Sequence, residues 1–140
     1  MAKNKKELLP AKKRGNETIK ILLIEDDPFL LSMYTSKFEI ENFQVVDAED
    51  GEKGLKVAAR EKPDIILLDI LLPKKDGFEV LKDLKSNAGL KHIPVILLTN
   101  LSQKDEVDKG LALGAVDYLI KAHFMPFEVV EKIKKVIGSN

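Results

Sequence analysis

The sequence predicts an α/β protein built on a parallel sheet, and three observations predict it. Residues 19–24 (IKILLI), 65–68 (IILL) and 93–99 (IPVILLT) are apolar runs too short for ordinary helices and rich in branched side chains, as strands buried on both faces are. Stretches with apolar residues at helical spacing follow such runs, so that five strands alternate with five helices along the chain. Prolines, glycines and acidic residues mark the switches between them. Alternation of this kind means βαβ units, hence parallel strands joined by right-handed crossovers.

Residues 1–18 carry Pro10 and Gly15 and no sustained period, and they read as a flexible tail with a local net charge of +4. The first strand, 19–24, runs straight into Glu25, Asp26 and Asp27. Pro28 suits the first position of a helix, which makes Asp27 its N-cap and leaves Glu25 and Asp26 without a capping duty. That helix, 28–40, puts Leu30, Met33, Tyr34, Phe38 and the stem of Lys37 on one stripe. A shorter strand at 43–48 ends in the acidic turn Glu49-Asp50-Gly51, and a helix at 52–61 presents Leu55, Ala58 and Ala59. The strand after Pro63 closes on Asp69. A carboxylate on a buried strand is costly unless paired or metal-bound, so Asp69 is expected at the strand's exposed carboxyl end.

After Pro73, Asp76 caps a third helix with Glu79 three residues on, a capping-box pattern, and Val80, Leu81 and Leu84 form its buried face. The strand 93–99 ends in the hydroxyl of Thr99. Ser102 is expected to cap a fourth helix reaching Leu113. With Val107, Leu111 and Leu113 as its large apolar residues and Gly110 inside it, that helix should be marginal and easily displaced. The last strand, 116–120, ends at Lys121, and Met125-Pro126 opens a final helix with Phe127, Val130, Ile133 and Ile137 at helical spacing.

One domain fits this length. Basic and acidic residues balance at 23 each, which argues against a nucleic-acid binder. The absence of cysteine excludes disulfides, thiol catalysis and thiolate metal sites. No apolar run approaches the ~20 residues that span a bilayer, and the basic start has no apolar segment behind it that would make a secretory signal. A cytoplasmic location without a membrane partner is the expectation.

Four of the five strands end in residues that carry chemistry: Glu25-Asp26, Asp69, Thr99 and Lys121. Side chains at the carboxyl edge of a parallel sheet surround one crevice, so these can meet in space. Three carboxylates there repel and raise one another's proton affinity. A hard divalent cation removes that strain, and Mg²⁺ suits oxygen ligands while keeping several waters; zinc and copper are disfavoured by the lack of a His or Cys cluster. A lysine and a hydroxyl beside the acids fit an arriving phosphoryl group, with Mg²⁺ and Lys121 neutralising its oxygens and Thr99 donating a hydrogen bond. The acceptor is then a carboxylate, forming an aspartyl phosphate.

The chain resembles the receiver domain of the two-component response regulators over about residues 18–138. The motifs ILLIEDD, IILLDILLPKKDG, VILLTN and DYLIKA carry the resemblance, in order on alternating strands. It implies a flavodoxin-like doubly wound sheet of five parallel strands in the order 2-1-3-4-5 with five helices, a domain at 19–138 behind the tail. It implies Asp69 as phospho-acceptor, Glu25, Asp26 and Asp69 holding Mg²⁺ with the backbone carbonyl of Leu71, Thr99 as the switch hydroxyl, Lys121 as partner of the phosphoryl group and Tyr118 as the aromatic switch. Three features depart from the family pattern. Asn100 replaces a small residue and is expected to crowd the phosphoryl entrance. Lys121-Ala122 replaces Lys-Pro, where a cis bond before alanine would cost ~3 kcal/mol. Leu71 and Leu101 stand where polar residues tune hydrolysis, which predicts slow loss of phosphate. His92 reads as a surface loop residue and His123 as structural or solvated, the histidine of a phosphorelay belonging to the partner.

With the chain ending just after the fifth helix, the expectation is a stand-alone, chemotaxis-type switch, not an enzyme, that promotes its own phosphotransfer and dephosphorylation. The implied partners are a sensor histidine kinase or histidine phosphotransfer protein, a downstream protein target, and a second copy on phosphorylation. Phosphorylation draws in Thr99, Tyr118 turns inward and the fourth helix resettles, changing the face made by that helix, the last strand and the last helix. Rival readings are a magnesium-dependent phosphatase, which would want an acid where Leu71 stands, and a pseudo-receiver scaffold that is never phosphorylated, suggested by Asn100 and Ala122. A third has the basic tail on nucleic acid or an anionic surface. Charge repulsion also predicts that Asp26→Asn stabilises the metal-free fold by on the order of 1 kcal/mol.

Overall fold

The computed structural model describes residues 18–100, 104–121 and 126–138. Strands and helices alternate throughout: β1 (Lys20–Ile24), α1 (Pro28–Ile40), β2 (Gln44–Ala48), α2 (Gly51–Glu61), β3 (Ile65–Asp69), α3 (Gly77–Ser86), β4 (Val95–Thr99), α4 (Lys104–Ala112), β5 (Asp117–Ile120) and α5 (Pro126–Gly138). The strands form one parallel sheet in the order β2-β1-β3-β4-β5, the doubly wound order that the resemblance implied. Residues 1–17 of the predicted tail, Ser102 as a cap and Met125 lie outside the described residues.

Successive residues of a strand point to opposite faces, and here both faces are covered. Leu22, Ile24, Ile66, Leu68, Val95 and Leu97 pack with Val57, Ala58, Val80, Leu81 and Leu84 on one side. Ile21, Leu23, Ile65, Leu67, Ile96 and Leu98 pack with Tyr34, Phe38, Val129 and Ile133 on the other. This is why the strands read as unbroken apolar runs. Each fully buried Leu or Ile contributes about 1.5–3 kcal/mol.

Four strands begin one or two residues later than the apolar runs suggest, and in β2 and β4 the reason is a turn. Phe43 donates its N–H to Phe38 O at 3.0 Å, and Ile93 donates to Leu90 O at 3.0 Å, so both are spent closing the preceding turn. Two helical faces also differ. In α2, Gly51 and Gly54 are buried and seat the helix so that Val57 and Ala58 turn inward while Ala59 is exposed. In α5, Val129, Val130 and Ile133 form the buried stripe, and Phe127, off that stripe, is 56% exposed. Among the described residues no helix is long and apolar enough to cross a membrane.

Candidate functional site

The carboxyl ends of β1, β3, β4 and β5 lie side by side, with Ile24 opposite Leu68, Asp69 opposite Leu98 and Thr99 opposite Ile120. The side chains that end these strands therefore share one edge. Asp27 accepts hydrogen bonds from the N–H groups of Phe29 (2.9 Å) and Leu30 (3.4 Å), the N-cap expected for α1. Glu25 is fully buried, and its Oε2 accepts from Asp27 N–H at 3.0 Å, so it does help to shape this turn. Asp26 is exposed. After β3 the chain folds back sharply: Gly77 N–H donates to Ile70 O at 2.7 Å, and a Cβ at Gly77 would collide with the carbonyl of Asp69. Only glycine allows that approach.

Asp69 was expected at an exposed strand end, but it is 3% exposed. The charge is tolerated because Lys121 Nζ donates to its Oδ2 at 3.0 Å and Leu71 N–H to its Oδ1 at 3.2 Å. Lys121 Nζ also lies 2.7 Å from Glu25 Oε1. That second contact is an ion pair outside hydrogen-bond alignment, so this buried oxygen has a charge partner but no aligned donor. One ligand atom each from Glu25, Asp26 and Asp69 falls within 4.8 Å of the others. The donor set is all oxygen, and the unaligned buried oxygen faces a charge-rich crevice; both fit a hard divalent cation.

Burial raises the proton affinity of Glu25, and the neighbouring charge of Asp69 raises it further against the opposing pull of Lys121. Burial likewise raises Asp69, against the hydrogen bond and charge of Lys121. Desolvation, rather than mutual repulsion alone, is thus the larger cause at both carboxyls. Burial alone would lower the pKa of Lys121, but its close contacts with the carboxylates of Glu25 and Asp69 outweigh this and leave it raised. A residue not foreseen as part of this environment is Tyr34, 1% exposed and stacked on Phe38. Burial and the fields of Glu25 and Asp69 push its phenol well above the usual tyrosine range. Its place on the apolar stripe of α1 was readable, but its closeness to the acids depends on tertiary packing.

Thr99 is buried at the end of β4, one residue past the strand partner of Asp69. Asn100 beside it is exposed, and Leu71 is 60% exposed on the rim. Tyr118, half-buried on β5, borders two cavities, one of about 680 Å³ lined also by α5 and one of about 400 Å³ lined also by α4. His92 is exposed in the loop before β4. Leu101, Ala122 and His123, and with them the Lys121-Ala122 bond, lie outside the described residues.

A doubly wound α/β domain with its charged centre at the carboxyl edge of the sheet is the class that fold and geometry define. The chain belongs to the response regulator receiver domain family, whose family model matches residues 21–134. Receiver domains are phospho-acceptor signalling modules of two-component systems. A curated relative, the alkaline phosphatase synthesis transcriptional regulatory protein PhoP of Bacillus subtilis, is 40% identical over 120 residues, covering 84% of this chain and 48% of PhoP. The chain spans about half the length of such relatives. Among solved structures, chemotaxis protein CheY4 of Vibrio cholerae superposes with a TM-score of 0.79 at 26% identity, covering 84% of this chain and 98% of that one. The receiver domain of sensor histidine kinase PA1611 from Pseudomonas aeruginosa, described with a magnesium ion coordinated in its active site cleft, gives 0.79 at 28% identity over 86% of this chain and 98% of its own.

Proposed function

We propose that the chain is a cytoplasmic, phosphorylation-dependent switch of a two-component phosphorelay, with Asp69 as the phospho-acceptor. The observation that carries this reading is the reach of one ammonium, Lys121 Nζ, to both Asp69 Oδ2 at 3.0 Å and Glu25 Oε1 at 2.7 Å. A cation held at the acceptor oxygen neutralises charge that arrives with a phosphoryl group. Glu25, Asp26, Asp69 and the backbone carbonyl of Leu71 would hold Mg²⁺, which supplies charge neutralisation to the phosphoryl oxygens when bound. The magnesium of the Pseudomonas receiver supports that assignment. An Asp69 oxygen attacks phosphorus on the phosphohistidine of a kinase or phosphotransfer protein. The P–N bond breaks, and its electron pair returns to the imidazole nitrogen.

Thr99 then donates its hydroxyl to the new phosphoryl oxygens, and Tyr118 takes up the space it leaves. The output is the surface of α4, β5 and α5, read by a downstream protein or a second copy. The sparse packing of α4, where Val107 and Gly110 are the buried residues, supports its being the element that moves. The test is incubation with a small phosphodonor and Mg²⁺ followed by intact mass. Wild type is expected to gain one phosphoryl group as an alkali-labile adduct and Asp69→Asn none. An equal gain in Asp69→Asn would overturn the assignment.

A further inference from the structure

At the opposite end of the sheet, where the strands begin, a cavity of about 540 Å³ opens between the end of α3, the start of β5 and the last turns of α5. Lys85, Lys91 and Lys135 line it over an apolar floor that includes Pro94 and Val116, the latter 50% exposed. Lys85 is half-buried, and its Nζ donates to the carbonyls of Ile93 (2.8 Å) and Lys91 (3.0 Å). An ammonium has three donors, so one is left over. Burial holds this lysine below its usual pKa, and it has no carboxylate partner among the described residues. Lys91 and Lys135 are exposed, also with no ion pair among the described residues. Asp117, the acid in the lining, is already engaged by Lys132 at 3.2 Å and by Tyr118 N–H at 2.8 Å.

Lys85 and Lys135 sit in last helical turns, where a cation complements the helix dipole. That explains their position but leaves three positive charges around an apolar floor without a counter-charge. The cations come from three separate segments and are not backed by a helix N-terminus, so they suit carboxylates spaced along a chain better than one compact dianion. We propose that this cavity docks an acidic peptide segment of a partner protein, its carboxylates on Lys85, Lys91 and Lys135 and an apolar side chain against Pro94 and Val116. The site is independent of the acids at the far edge of the sheet.

The test is fluorescence anisotropy with the full chain and a labelled Glu-Glu-Leu-Glu-Glu peptide, beside its all-Gln analogue. Wild type is expected to bind the acidic peptide and not the analogue. Lys91→Glu with Lys135→Glu should weaken binding about tenfold or more, as should raising the salt from low to molar. Phosphodonor labelling of Asp69 should be unchanged in that variant, which separates failure here from failure at the phosphorylation site. Both positions are exposed; if charge reversal disturbs folding by melting, Lys91→Gln with Lys135→Gln replaces it. Absence of peptide binding, equal binding of the Gln analogue, or an affinity untouched by the substitutions would overturn the proposal. So would displacement by inorganic phosphate or duplex DNA at lower concentration than unlabelled peptide.

Discussion

Lys121 is one cation between two buried carboxylates, and that imbalance governs how the protein responds to pH without a metal. The pKa values of Glu25 and Asp69 are raised above their ordinary 4.5 and 3.8 in the folded chain. An acid shifted upward penalises the fold where it is ionised, and the penalty is released as pH falls through the raised value toward the ordinary one. In EDTA, stability should therefore rise as pH falls from neutral toward the ordinary carboxylate range, and Asp69→Asn should both raise the melting temperature at neutral pH and flatten that rise. A melting temperature that falls steadily over the same range in the wild type would contradict this. Asp26→Asn acts in the same direction but from an exposed position, where solvent and salt screen repulsion. Its gain should be at most on the order of 1 kcal/mol and should vanish in high salt. Lys121→Met leaves both carboxylates buried with no counter-charge and should cost about 3 kcal/mol by denaturant unfolding. Because these groups act as one unit, Asp69→Asn added to Lys121→Met should recover part of that loss.

The elements themselves were legible because each carries its own signal: buried strands are continuous apolar runs, and Asp27 and Asp76 cap the helices they precede, as the bonds to Phe29 and Glu79 N–H show. Which face a helix buries was less legible, because small residues leave no hydrophobic mark; Gly54 and Ala58 hold α2 in place while Ala59 faces water. Gly110 shows the same blindness. Read from sequence it only weakens α4, yet a Cβ there would run into Leu97, so the glycine sets how closely α4 lies on the sheet. Gly110→Ala should gain helix propensity of about 1 kcal/mol and lose more than that to the clash, a net cost of about 1–2 kcal/mol seen in unfolding midpoint. A more stable variant would mean that α4 can shift freely outward. In the loop after β3, Lys74 holds φ 70°, a left-handed conformation that favours glycine or asparagine. Lys74→Gly should stabilise the chain by up to about 1 kcal/mol, since strain relief exceeds the entropy glycine adds to the unfolded state; unchanged or lower stability would show that the turn carries no strain.

At the scale of the whole molecule, residues from sequence positions as far apart as 25 and 121 meet because the doubly wound order places β1, β3, β4 and β5 as neighbours. That convergence was legible as a topological rule; the burial of Asp69 was not, since it depends on an ammonium more than fifty positions away in the chain, 52 residues on. The same convergence would let one ligand tie the ends of two neighbouring strands, β1 and β3. A cation held by Glu25, Asp26 and Asp69 binds the folded chain and not the unfolded one, so it stabilises by RT ln(1 + [L]/Kd), about 1.4 kcal/mol at tenfold excess over Kd. Mg²⁺ titrated into EDTA-treated protein should raise the melting temperature along that curve and reverse the pH response, because a bound cation favours ionised carboxylates. Asp26→Asn, exposed and outside the Lys121 ion pairs, should remove most of the Mg²⁺ gain while leaving a folded protein. If Asp26→Asn responds to Mg²⁺ as the wild type does, the ion acts elsewhere on the surface and the acidic edge is not its site.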